Sequence, residues 1–241
     1  MRAITNTNII ESRAKWAKRV APLTMLFLLG GLVTNFLSIN QPEYFRPTLI
    51  LLALGFIFAT ISSNLVNRWV REPRADQLLT ATLQKFGNDY ILFNYTSPVP
   101  HVLLSPGGLY VFIIKNQDGQ IQVNGHRFSR KFSWRRLFRF FAEEGLGSPS
   151  TEAENKANTL KKLLRKNLSE EELPEPKPLI IFSHKNVDLS VEDPPLPIMR
   201  TNELKSYLRE QGKYKTISAA QRNALIDIIG GQWAGGKEVK Q

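Results

Sequence analysis

Val102-Leu-Leu-Ser-Pro-Gly-Gly-Leu-Tyr-Val-Phe-Ile-Ile-Lys-Asn116 is the stretch whose reading decides the fold. Two short apolar runs, Val102 to Ser105 and Leu109 to Ile114, meet at Pro106-Gly107-Gly108. Proline presets one backbone angle and glycine reaches angles closed to other residues, so this junction turns the chain. Runs of this length, rich in branched and aromatic residues and bounded by turn residues, read as strands. Upstream, Tyr90-Ile-Leu-Phe-Asn-Tyr95 has the same composition, and downstream Asp118-Gly119 turns into Gln120-Ile-Gln-Val123. The sequence therefore predicts an antiparallel β-meander.

Helical patterns bracket these strands. Glu72-Pro73 interrupts a preceding helix, and Arg74 to Phe86 resumes one with Leu79, Leu83 and Phe86 on a common face. Thr151 to Leu164 opens with a capping-box pattern, Thr151 with Glu154, and carries an apolar stripe of Ala153, Ala157, Leu160 and Leu164. Leu179-Ile-Ile-Phe182 is a continuous apolar run suited to a strand buried on both faces. Asn202 to Arg209 and Ser218 to Ile229 read as closing helices, the second capped by Ser218 with Gln221. The expected fold class is α/β (α+β): a central mixed sheet flanked by helices over residues 74–229, then a tail over 230–241.

The N-terminal third is of another kind. Residues 20–40 and 48–67 contain no charged side chain and are dominated by Leu, Ile, Phe, Val and Ala. About 20 apolar residues in a helix cross the roughly 30 Å of bilayer hydrocarbon, and both segments reach that length. The connection Gln41 to Pro47 is short, so the expectation is a transmembrane helical hairpin over 20–67. Gly30-Gly31 offers a place for its helices to approach closely. Arg13, Lys15, Lys18 and Arg19 precede the first span and Arg68, Arg71 and Arg74 follow the second, against Glu43 and Arg46 in the loop. That asymmetry places both termini, the basic segment 1–19 and the domain on the cytoplasmic side. A secretory signal peptide has a shorter apolar region and leaves the second span unexplained; two buried core helices are the other alternative.

The formal net charge of +11 favours polyanionic neighbours, nucleic acid or anionic lipid, without choosing between them. With no cysteine and three histidines, disulfides, thiolate metal sites and a cysteine nucleophile are excluded and a zinc site is disfavoured.

Taken in order, the helix from about Arg74, the run Val102 to Asn116 with Gly119-Gln-Ile121, the helix holding Glu154-Asn-Lys-Ala-Asn-Thr-Leu160 and the strand Leu179 to Phe182 resemble the nuclease-related domain (NERD) family. The resemblance extends to about Ile229. It implies a restriction-endonuclease-like fold and Mg²⁺-assisted phosphodiester hydrolysis, in which sheet carboxylates hold the metal and a lysine positions the attacking water. The family pattern expects an acid on the opening helix, an Asp before a His at the next strand, and an acid two residues before the lysine. Here those positions are Asp76, Pro100 before His101, and Ile113 before Lys115. Proline and isoleucine cannot ligate a metal, so the resemblance implies a relic site of Asp76 and Lys115, no metal site, and no Mg²⁺ unless ligands have moved.

The alternative is a Mg²⁺-dependent nuclease with relocated ligands, for which Asp118 beside Lys115, or Asp89 before the first strand, are the candidates. Asp118-Gly119 also reads as a plain turn, His101 as a strand-start histidine, and Lys115 as a stem packed at a sheet edge.

Residues 126–141 interleave Arg127, Arg130, Lys131, Arg135, Arg136 and Arg139 with Phe128, Phe132, Trp134 and further phenylalanines. Arginines beside aromatics can grip phosphates and stack on bases, or lie on anionic lipid headgroups with the rings at interfacial depth. An ordinary helix with a half-buried aromatic face is the third reading. The candidate binding residues are thus His101, Arg127, Arg130, Lys131, Trp134, Arg135, Arg136 and Arg139. The candidate partners are the bilayer and its anionic headgroups, nucleic acid or a protein. A membrane scaffold that binds no nucleic acid stands as a further alternative.

Overall fold

The structure is a computed structural model and describes residues 1–131, 145–169, 173–214 and 216–231. Its described residues divide into two compact units, one comprising Met1–Asn6, Ala75–Lys131 and the residues from Leu146 onward, the other comprising Thr7–Arg74.

The second unit is a hairpin of α1 (Thr7–Ser38) and α2 (Phe45–Trp69), joined through a single 3₁₀ turn at Pro42–Tyr44. A Cβ on Gly31 would come within 2.7 Å of the Leu52 side chain, and one on Gly55 within 2.6 Å of Leu28. These two glycines let the helices approach where larger residues would hold them apart. The Thr48 and Thr34 hydroxyls hydrogen-bond across the pair at 2.9 Å, and the Phe27 and Phe58 rings pack 5.0 Å apart. Both helices are long and apolar enough to cross a membrane. Only 6% and 11% of their most apolar windows are buried, so the hairpin does not hide its Leu, Ile and Phe side chains as core helices would.

The first helix starts at Thr7, well before the expected boundary at residue 20. The segment 1–19 is therefore not separate: the basic residues Arg13 to Arg19 form part of α1, and Arg2–Thr5 form a strand, β1. Lysine, arginine, alanine and glutamate are good helix formers, so the helix continues beyond its apolar stretch.

In the first unit β1 is followed, after the hairpin, by α3 (Ala75–Leu83), β2 (Ile91–Asn94), β3 (His101–Ser105), β4 (Gly108–Lys115), β5 (Gly119–Asn124) and β6 (Arg127–Arg130). Then come α4 (Pro149–Arg165), β7 (Pro176–Phe182), β8 (Val187–Glu192), β9 (Ile198–Arg200), α5 (Leu204–Gln211) and α6 (Ala219–Gly230). The main sheet is mixed and six-stranded, in the order β1-β2-β3-β4-β7-β9. The antiparallel pairs β2·β3 and β3·β4 bear out the meander, and β7 runs parallel to β4 from Leu109↔Pro176 to Lys115↔Phe182.

The meander ends there. Both edges of β4 are taken, by β3 and β7, so β5 has no place beside it and crosses into a second sheet, β6-β5-β8. Gly119, with φ of +76°, makes that departure, and Asp118-Gly119 is not a hairpin turn between β4 and β5. The strands β1, β8 and β9 are absent from the sequence reading because each is short or interrupted by polar residues.

Helices cover both faces of the main sheet. Ile91, Phe93, Val102, Leu104, Leu109 and Val111 pack with Leu160 and Leu164 of α4 and Leu225 and Ile229 of α6. On the other face Leu92, Leu103, Tyr110, Phe112, Leu179 and Ile181 pack with Leu79 and Leu83 of α3 and Leu204 and Leu208 of α5. The alternation follows from the two-residue period of a strand. Helix α6 has the capping box read from Ser218 and Gln221, whereas α4 begins at Pro149 with Ser148 as N-cap, so the Thr151 and Glu154 pattern does not open it.

Tyr110 is fully buried in this second face, with the Lys177 ammonium 5.7 Å from its ring centre. Burial, reinforced by Tyr207 and Tyr90, raises its hydroxyl well above the ordinary value of 10.0. The unfolded chain releases that proton near pH 10 while the folded chain retains it, so stability is unaffected below pH 10 and falls as pH rises beyond it. Urea midpoints of the full chain in detergent should decline above pH 10, and Tyr110→Phe should flatten that decline.

Candidate functional site

The β2–β3 connection and the end of β4 gather the polar side chains singled out from the sequence. His101 starts β3 opposite Asn94 of β2. Both are buried, and His101 Nδ1 lies 2.9 Å from Asn94 Oδ1. The Asn94 amide donates to the Thr5 hydroxyl at 3.2 Å, which ties the β1 strand to the same cluster. The Tyr95 ring stands edge-on to the imidazole at 4.9 Å, and Tyr95 itself has a φ of +59°. A bulky residue rarely adopts that conformation, and Tyr95 N–H donates to Pro100 C=O at 2.7 Å to close the turn. His101 is thus embedded in a local polar network.

Lys115 closes β4 and is buried, its ammonium 2.7 Å from Glu152 Oε2 in the first turn of α4. Alternation along β3 and β4 puts His101 on the face of Leu103 and Lys115 on the face of Ile113. Asp76, buried in the first turn of α3, shares a helical stripe with Leu79 and Leu83 and so belongs to the His101 face. The structure places Asp76 and Lys115 on opposite faces of the sheet.

The candidates for moved ligands are engaged elsewhere. Arg130 grips Asp118 through a carboxylate ion pair and donates from Nε to the Asp118 carbonyl at 2.8 Å. Asp89 accepts from Arg222 Nη1 at 2.8 Å. Among the described residues no group of three or more His, Asp or Glu side chains is gathered as a metal would require. Mg²⁺ needs several oxygen ligands in near-octahedral array, and the described carboxylates Asp76, Asp89 and Asp118 are not gathered into such a group.

The basic and aromatic segment divides. Arg127–Arg130 is β6, antiparallel to β5, and not helical: Arg127 is exposed, and Phe128 packs against the cluster of Ile121, Val123 and Val187. Lys131 N–H donates to Gln120 C=O at 3.0 Å. Burial alternates along Arg127–Arg130 as in an edge strand, but only Phe128 is apolar, so the sequence carried little strand signal for the helical readings to meet. Trp134, Arg135, Arg136 and Arg139 lie outside the described residues.

The partner of Lys115 is the functional-site contact that sequence reasoning missed. Glu152 immediately precedes Ala153 of the apolar stripe, at its border, and its side chain is 46% exposed, so the stripe by itself did not mark it.

Fold and site together define an α+β domain with helices on both faces of a mixed sheet, in a chain that also holds two helices able to cross a membrane. Residues 69–183 match the family model for the nuclease-related domain. No curated protein and no solved structure matches the chain.

Breaking the ion pair from one side strands a charge. Glu152→Ala leaves the Lys115 ammonium buried and should cost about 1 to 3 kcal/mol, whereas Lys115→Met removes the charge, keeps the packed stem and should cost less. Denaturation midpoints of the two variants test this order.

Proposed function

We propose that this protein is a membrane-anchored nuclease-related protein whose domain does not cleave phosphodiesters and instead binds a polyanion at the cytoplasmic membrane face. The observation that carries this reading is the state of Lys115. Its ammonium is held by Glu152 at 2.7 Å, while Pro100 and Ile113 stand where the family resemblance expects metal-binding carboxylates. An ion-paired lysine with one carboxylate beside it cannot organise a metal and an attacking water together.

The topology supports the anchor. The chain leaves its sheet after β1 and returns to the same domain at α3, so the two ends of the hairpin begin and finish at one body. A hairpin that spans the bilayer then keeps β1 and the rest of the domain on one side, and the excess of arginine and lysine at its open end makes that side cytoplasmic. The net charge of +11 supports a polyanionic partner.

The full chain in detergent, given Mg²⁺ or Mn²⁺ and either DNA or RNA, should leave the nucleic acid intact. Robust cleavage that Asp76→Ala abolishes would overturn the silent reading in favour of moved ligands. Binding to polyanions should weaken steeply with added salt. A protein that binds neither nucleic acid nor anionic vesicles at low salt would be a scaffold instead.

A further inference from the structure

The basic residues that frame the hairpin form a built surface within α1 and α2. Helix α1 runs unbroken from Thr7 through the apolar span, and Arg13, Lys15, Lys18 and Arg19 are all exposed just before the apolar residues begin at Val20. Ile10, Ala14 and Ala17 form the covered stripe of this stretch, with spacings of four and three, so the charges occupy the remaining circumference. Trp16 sits among them and is 58% exposed. A large aromatic left open beside four cations is costly in water and favourable at headgroup depth.

The opposite helix adds to the cluster. Gly31 meets Leu52 and Gly55 meets Leu28, and the same antiparallel register carried along the helices brings Arg68 level with Lys15. Arg68 and Arg71 are exposed, and the Arg68 guanidinium lies 5.4 Å from the Trp69 ring centre. At this end Glu72 is paired with Arg74 at 3.6 Å, and Glu11 is the one other acid of the helix ends among the described residues. At the closed end of the hairpin Glu43 and Arg46 cancel.

We propose that Arg13, Lys15, Lys18, Arg19, Arg68 and Arg71 form a collar that selects anionic phospholipid headgroups, with Trp16 inserted at the headgroup boundary. The occupant follows from continuity: five of the six cations sit on the same rods as the apolar spans and Arg71 follows α2 by two residues, at the level where a phosphate layer begins once those spans lie in hydrocarbon. The inference rests on the reading that the hairpin crosses the bilayer, and assigns the lipid contact to the hairpin's own base in place of residues 126–141. A row of cations beside an anionic leaflet gains affinity with each charge.

The test uses the full chain reconstituted in phosphatidylcholine vesicles carrying either brominated phosphatidylglycerol or brominated phosphatidylcholine. Trp16 emission is isolated by difference against W16F. Brominated phosphatidylglycerol should quench Trp16 at about five-fold lower mole fraction, and K15Q/K18Q/R19Q or high salt should bring the two lipids close to parity. Equal quenching by both lipids in the unsubstituted chain overturns the collar and leaves the membrane reading standing. Absence of quenching by either lipid removes both. A single-stranded oligonucleotide that binds the chain in pure phosphatidylcholine vesicles, and is lost in K15Q/K18Q/R19Q, would reassign the cluster to nucleic acid and overturn the collar.

Discussion

The backbone hydrogen bonds of β4, shared with β3 along one edge and with β7 along the other, are what the remainder of the domain is arranged around. A strand paired on both edges and packed on both faces has nowhere to put a charge, and Leu109 to Ile113 are accordingly all uncharged and buried. The same saturation sends β5 off to a second sheet and calls for helices above and below. Only at Lys115, the last residue, does β4 carry a charge. It does so where the first turn of a helix supplies a carboxylate.

That geometry explains what the sequence made legible. The runs Val102–Ser105, Leu109–Ile114 and Leu179–Phe182 are central strands whose burial on both faces leaves a continuous apolar signature. The stripes on α3 and α4 were readable for the complementary reason, since each helix covers one face of the sheet and keeps a polar back. Edge strands carry neither mark. Arg2–Thr5 and Ile198–Arg200 are short, half-solvated and paired on one side, so their place depends on partners far away in the chain. The helix reading of residues 126–141 failed over Arg127–Arg130 because a cation-rich composition says little about backbone period.

The candidate site was half legible. The residue types at Pro100, Ile113 and Lys115 could be read directly, as could the place of Lys115 at the end of a strand. The ion pair to Glu152 could not, because a salt bridge between a strand end and a helix start 37 positions apart leaves no local trace. Nor does any pattern announce that Asp76 and Lys115 fall on opposite faces; that follows from which face α3 covers.

The parallel pairing of β1 with β2 gives the chain an order of assembly. Thr5 is bonded to Asn94, 89 positions later, and both apolar helices lie between them. During synthesis the first strand emerges well before its partner exists, and the intervening helices are the two that are long and apolar enough to cross a membrane. The N-terminal strand therefore has no sheet partner until both helices have been made. Completion of the sheet closes a loop that contains the whole of α1 and α2, so the last pairing of the domain depends on residues made after the hairpin.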